Sequence, residues 1–253
     1  MSLEATALAY GYREREIGRD IALDLAGGEV LALLGPNGHG KTTLLKTLLG
    51  LLPAKGGALT LDGKPLAQLS IGERARALAY VPQVHAGTFA FSVSEVVLMG
   101  RTARSNLFAA PSAHDRDMVQ AMLERLGIEH LAERPYTEIS GGERQLVMIA
   151  RALAQEPRYV ILDEPTASLD FGNQGKVMSQ IRRLASEGLG VLFTTHDPNQ
   201  ALRYADRALL LRDGRALASG EALELLTPER LAELYGVAIE TVRGDGKLAF
   251  LPG

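Results

Sequence analysis

A chain of 253 residues, 46% hydrophobic and 23% charged, has the size and composition of one or two globular domains and excludes a collagenous, disordered or membrane-spanning polypeptide. Lys plus Arg number 27 and Asp plus Glu 30, a net charge of −3 with both signs interspersed, which argues against nucleic acid as a partner. There is no Cys, which excludes disulfides, thiolate metal sites and Cys nucleophiles, and the five His form no cluster suited to a structural metal.

No apolar stretch approaches the ~18–20 residues needed to cross a bilayer. Met1–Ala9 lacks a basic segment followed by an apolar block, so no secretory signal is expected and any membrane role must come through a partner. Residues ~3–30 and ~57–81, with turns at Gly27-Gly28 and Asp62-Gly63, predict short strands in an antiparallel sheet. Val30–Leu34 is an apolar strand, followed by a Gly-rich loop and a helix from about Lys41 to Leu49. Residues ~84–156 read as helical, with three–four spacing of apolar residues in Asp115–Leu126 and Arg144–Leu153 and breaks at Pro111 and Pro135. Tyr159–Leu162, Val191–Thr195 and Ala208–Leu211 are further apolar strands; they end on Asp163-Glu164, on His196 and on an Arg212-Asp-Gly-Arg215 turn. Such strands alternating with helices predict a parallel sheet covered on both faces, with ligands beyond the strands' carboxyl ends. After Gly220 come two short helices, Ala222–Leu226 and Pro228–Tyr235, with Thr227 as N-cap of the second. A hairpin follows, Val237–Arg243 and Lys247–Leu251 around Gly244-Asp-Gly246.

Three segments carry chemistry. Gly35-Pro36-Asn37-Gly38-His39-Gly40-Lys41-Thr42-Thr43 fits G-x-x-x-x-G-K-[ST] between a strand and a helix. Gly38 and Gly40 let backbone N–H groups turn onto phosphate oxygens, and the helix N-terminus adds partial positive charge. Lys41 would meet the β- and γ-phosphates, and the Thr42 hydroxyl is a hard ligand for Mg²⁺. His39 reads as a solvated filler of a free position. The second segment is the strand end Asp163-Glu164. Alone it is weak, because strand ends are often polar; beside a phosphate loop, Asp163 would hold Mg²⁺ and Glu164 would orient the attacking water. The third is Ile139-Ser140-Gly141-Gly142-Glu143-Arg144-Gln145, where Ser140 is a good N-cap and the two glycines leave amides uncovered. By itself it reads more simply as a capped helix than as a second anion site.

The ordered set resembles the ATP-binding cassette (ABC) ATPases over nearly the whole chain: Walker A at 35–43, the signature as the variant ISGGERQ at 139–145, and Walker B at 159–164. Gln83 in Tyr80-Val-Pro-Gln matches the Q-loop, Asp170 in Ser168-Leu-Asp the D-loop, and His196 in Thr194-Thr-His-Asp the switch histidine. Tyr12 stands where the adenine-stacking aromatic does, with Tyr10 as the rival. Ile139 for Leu and Glu143 for Gln are mild departures.

The resemblance implies an α/β P-loop NTPase fold: a RecA-like parallel core (about 1–83 and 157–220), an antiparallel β subdomain, an α-helical subdomain (about 84–156) and a short C-terminal extension (about 221–253). These form a single ATP-binding domain, 1–253. It implies ATP and Mg²⁺ (Thr42, Gln83, Asp163) and a head-to-tail dimer with a second copy, each ATP lying on Lys41 of one subunit and under Ser140, Gly141 and Gly142 of the other. The signature helix has no anion of its own in this reading, so the second subunit must supply one. Glu164, His196 and Gln83 act on the attacking water or sense the nucleotide, and Asp170 aligns the opposing loop. The subunit would dock on transmembrane permease subunits at the cytoplasmic face of the membrane, served indirectly by a periplasmic or surface binding protein. Phe89 and Phe91 are candidates for the permease groove, while Val93, Val96 and Val97 read mainly as core. Val96-Val-Leu-Met-Gly-Arg-Thr102, the Phe108–Pro111 segment and the short tail resemble importers of iron–siderophore, haem, cobalamin or molybdate. Three rivals remain: an exporter ATPase, a soluble ABC ATPase acting on nucleic acid or ribosomes, and a P-loop small-molecule kinase. The last two lack, respectively, basic extensions and a phosphoacceptor lid.

Overall fold

Two long strands and a buried apolar one begin the frame. A computed structural model describes residues 2–83, 91–104, 110–244 and 247–253; Phe89, Phe108 and the Asp245-Gly246 turn lie outside them. β1 (Ser2–Tyr12) and β2 (Arg15–Ala26) pair antiparallel. β3 (Val30–Leu34) is buried throughout and leads through the glycine loop into α1 (Lys41–Leu48). β4 (Gly56–Leu61) and the two-residue β5 (Lys64–Pro65) complete a four-stranded antiparallel sheet in the order β2-β1-β4-β5.

Here the expected strands over ~57–81 are corrected. Ser70 and Glu73 close a capping box that starts a helix, α2 (Ile71–Ala77). β6 (Leu78–Val81) then leaves the antiparallel sheet and pairs parallel with β7 (Tyr159–Leu162). A continuous apolar run such as Leu78–Val81 suits a central parallel sheet, where both faces are covered.

Between β6 and β7 stand α3 (Val93–Leu98), α4 (Ala113–Leu126) and α5 (Gly141–Leu153), capped by Ser92/Glu95, Ser112/Asp115 and Ser140/Glu143. Val93, Val96 and Val97 are core, as expected, and Phe91 is 43% exposed. Beyond β7 come α6 (Phe171–Ser186), β8 (Gly190–Thr195), α7 (Pro198–Tyr204), β9 (Arg207–Arg212) and β10 (Arg215–Glu221). α8 (Ala222–Leu225), α9 (Pro228–Tyr235) and the hairpin β11 (Ile239–Gly244) and β12 (Lys247–Pro252) end the chain.

The central sheet runs β10-β9-β3-β8-β7-β6, parallel except for β10. Successive residues of each strand face opposite sides. Ala32, Leu34, Val160, Leu162, Val191 and Phe193 pack under the helices, whereas Leu31, Leu33, Ile161 and Leu192 pack against α1 and the antiparallel sheet. Among the described residues no helix is long and apolar enough to cross a membrane.

Candidate functional site

Four parallel strands bring their carboxyl ends into line. Register pairs Leu34 of β3 with Thr195 of β8, Phe193 of β8 with Leu162 of β7, and Leu162 with Val81 of β6. The residues just beyond these ends are the phosphate loop, His196, Asp163-Glu164 and Gln83, which the sequence had singled out from four separate segments between Gly35 and His196.

The loop's geometry follows from its glycines. Gly38 and Gly40 lie in the left-handed region, at φ +83° and +94°. Gly35 runs so close to β9 that a Cβ would sit 2.2 Å from the Leu211 carbonyl. The first intrahelical bond of α1 is Leu44 N–H to Gly40 O, so the amides of Lys41, Thr42 and Thr43 precede it and carry the helix's positive end. Lys41 is 5% exposed; its ammonium donates to the carbonyls of Gly35 (2.6 Å) and Pro36 (3.1 Å) and reaches Asn37 Oδ1 at 3.5 Å. Burial pulls its pKa below the ordinary lysine value, opposed by Glu164, whose Oε1 lies 3.4 Å away. Thr42 is exposed beside it and Thr43 is buried.

Glu164 occupies φ +45°, rare for a side chain with a Cβ, at a place where backbone strain commonly accompanies function. Its Oε2 lies 3.5 Å from His196 Nδ1, so the carboxylate sits between Lys41 and the imidazole. Thr194 holds the acidic pair in place: its buried hydroxyl accepts from Glu164 N–H at 2.7 Å and donates to Asp163 Oδ1 at 2.8 Å. Tyr80 approaches the other Asp163 oxygen at 3.4 Å. Neither Thr194 nor Tyr80 was given a role from sequence, though a Thr pair closing an apolar strand was a visible signal. Gln83 is exposed at the end of β6, and no hydrogen bond joins it to Asp163 or Glu164.

The two tyrosines separate by burial. Tyr10 is fully buried beneath the loop, its phenol within 3.0 Å of where a Gly40 Cβ would stand. Tyr12 is 48% exposed at the turn end of the β1–β2 hairpin, opposite Arg15. Arg15, Ile17, Asn37, Gly38 and His39 line a cavity of about 350 Å³ between that hairpin and the loop. His39 is not simply solvated: its Nδ1 accepts from Asp213 N–H at 3.0 Å.

Ser140 caps α5, accepting from Glu143 N–H at 3.3 Å, and Arg144 N–H makes the first intrahelical bond to Ser140 O. Glu143 Oε2 accepts the Ser140 N–H at 2.7 Å, and these bonds hold its carboxyl below the usual range. The amides of Gly141 and Gly142 precede the first intrahelical bond. Gly142 is packed so tightly on Asn173 that a Cβ would meet its side chain at 2.7 Å. Asp170 caps α6 through Asn173 N–H (2.9 Å) and Nδ2 (2.7 Å), bonds that depress its pKa. Among the described residues no hydrogen bond or ion pair joins Ser140, Gly141 or Gly142 to Gly35–Thr43. One copy therefore holds two anion-facing helix ends that do not meet.

The donors at the strand ends are oxygens: Thr42, Asp163 and the Gln83 amide. That is the hard donor set Mg²⁺ takes, with one or two carboxylates and the remaining positions left to phosphate and water. Among the described residues no group of three His, Asp or Glu could hold a metal unaided.

Comparison with known proteins finds similarity to ABC transporter components. The profile of the ABC transporter family matches residues 19–167. The hemin import ATP-binding protein HmuV of Burkholderia lata is 41% identical, over 96% of this chain and 97% of its own. The molybdate import ATP-binding protein MolC of Haemophilus influenzae is 41% identical, over 98% and 94%. A solved structure described as an inward-facing conformation of a metal-chelate type ABC transporter superposes with a TM-score of 0.88 at 36% identity, covering 99% of this chain and 96% of that one.

Proposed function

The chain belongs to the ABC transporter family as an ATP-binding subunit of the import type, and on that premise we propose that it hydrolyses ATP to drive uptake of a metal compound. Haem or another metal chelate, such as an iron–siderophore or cobalamin, comes first and molybdate second. The names of its relatives favour import over export, and subunits of this kind work with transmembrane permease components. The whole chain acts as a single ATP-binding domain at the cytoplasmic face, and Phe91 belongs to the surface offered to the permease.

The convergence of Lys41, Glu164 and His196 carries the mechanism. Lys41 meets Glu164 and the loop carbonyls in the structure. With ATP bound, Lys41 and the amides of the loop, including those at Gly38 and Gly40, take the phosphates, and Glu164 is freed to orient the attacking water and accept its proton. His196 donates to the γ-phosphate or the water. Tyr12, half exposed beside Arg15 on the hairpin, offers a face to adenine. Thr42, Asp163 and Gln83 would hold Mg²⁺, which when bound neutralises charge on the phosphate oxygens. A second copy, arranged head to tail, supplies Ser140, Gly141 and Gly142 over the γ-phosphate, with Asp170 at the junction.

Glu164→Gln is the test. ATP binding should survive, turnover should fall about 10²-fold or more, and a closed dimer should accumulate in gel filtration. Wild-type turnover would remove Glu164 from the mechanism. Stimulation of the reconstituted assembly by a binding protein loaded with haem, but not with molybdate, would fix the order of the solutes.

A further inference from the structure

The switch histidine is held by its backbone more than by its side chain. The His196 imidazole is 54% exposed, and among the described residues its one polar contact is the 3.5 Å approach to Glu164. Its main chain, by contrast, is anchored on both sides. Upstream, the Thr195 hydroxyl accepts from Asp197 N–H at 3.0 Å and donates to Gln200 Oε1 at 3.2 Å. Downstream, the remaining contacts come from the C-terminal residues. Tyr235, the final residue of α9, donates its phenolic hydrogen to the His196 carbonyl at 2.9 Å. Asn199, the second residue of α7, grips the backbone of Phe250 twice, accepting from its N–H at 2.8 Å and donating to its carbonyl at 3.0 Å.

These anchors are themselves fixed. Leu231 and Leu234 of α9 and Phe250 of β12 are buried in the main core, and Arg212 at the end of β9 donates to the Glu233 carbonyl. The phenol therefore projects from a rigid strut. Its burial, with the nearby Asp197 charge, raises its pKa well above the ordinary tyrosine value, so it remains a neutral donor at physiological pH.

We propose that Tyr235 is a positioning residue for hydrolysis: the bond from its hydroxyl to the His196 carbonyl sets the peptide plane from which the imidazole is aimed at the γ-phosphate and water. The C-terminal extension is then part of the hydrolytic apparatus rather than an appendage. This rests on the assignment of His196 to that step. Rotation of the 196–197 peptide would swing the His196 Cα–Cβ vector away from Glu164, while the phosphate loop, which carries ATP affinity, would be untouched.

Tyr235→Phe in the full chain tests it, because it removes one hydrogen bond and keeps the packing. The kcat for ATP should fall about 3- to 10-fold, as one lost hydrogen bond allows, with KM for ATP unchanged and the thermal midpoint lowered by no more than about 2–4 °C. The second readout is the His196 imidazole signal in NMR spectra of histidine-labelled protein, assigned by its disappearance in His196→Ala. Tyr235→Phe should shift that signal and leave the other four histidines in place. Wild-type kcat, or an unmoved His196 signal, overturns the proposal. If His196→Ala itself turns over at the wild-type rate, the underlying reading of His196 fails instead, and the two failures are told apart by that control.

Discussion

At the scale of single residues, the phosphate loop divides its glycines between folding and binding. Both Gly38 and Gly40 have positive φ, which for an L side chain costs about 1–2 kcal/mol. Their surroundings differ. A Cβ at Gly40 would lie 2.8 Å from Ile17 Cγ2 and 3.0 Å from the Tyr10 hydroxyl, both packed in the core, whereas nothing lies within 4 Å of one at Gly38. Gly40→Ala is expected to lose about 3 kcal/mol in urea unfolding, because overpacking adds to the backbone term. Gly38→Ala should lose only about 1 kcal/mol, yet bind ATP poorly, since its methyl enters the space where phosphate belongs. Equal losses of stability would show that the loop relaxes around Tyr10. The sequence displayed the loop in full but not its floor. Tyr10 and Tyr12 differ by two positions on one strand, and only the β1–β2 register, irregular between Leu8 and Gly11, buries one and exposes the other.

At the scale of elements, local signals were legible and distant pairing was not. The helix Pro228–Tyr235 was bounded correctly, because Thr227 and Pro228 mark its start chemically. Ser70 and Glu73 offered the same kind of signal for α2, but it was read through as strand. β6 was assigned to the wrong sheet because its partner, β7, lies some eighty residues on, beyond the reach of periodicity. Thr194 bonding Asp163 and Glu164 is a similar long-range fact.

The start of α4 shows how one carboxylate serves two elements. Asp115 closes the capping box with Ser112 and accepts from buried Arg101, which also bonds Glu156 and the Ala154 carbonyl. Arg101 first, then Ser112, depress the Asp115 pKa. A depressed carboxylate contributes stability that is complete above its unfolded pKa, near about 4, and is lost as pH falls through the folded value. Asp115→Asn should therefore be less stable than wild type at neutral pH, and the two should converge in strong acid. Thermal midpoints followed from neutral pH downward check this; a gap that persists undiminished into acid would locate the effect in packing instead.

At the scale of the whole molecule, the proposed pairing of the two anion-facing helix ends across copies predicts how many copies act together. Gly141 is the place to probe this, since a Cβ there meets only Leu169 Cδ2 at 3.5 Å, an ordinary contact, whereas one at Gly142 would collide with Asn173. A carboxylate introduced as Gly141→Asp sits in the first turn of α5, where it suits the helix dipole and leaves the fold intact. It would occupy the amides intended for phosphate and repel a γ-phosphate brought by another copy. Gly141→Asp alone should bind ATP normally and neither dimerise nor hydrolyse it. Lys41→Ala alone should fail for the opposite reason, with an intact signature and no phosphate grip. Each mixed dimer, however, contains one site made of the sound loop from one copy and the sound signature from the other. Turnover that reappears on mixing two inactive variants is then the expected result, and it has no explanation in a site completed within one chain. A mixture as inactive as its components, or Gly141→Asp hydrolysing unaided, would mean that each copy closes its own site.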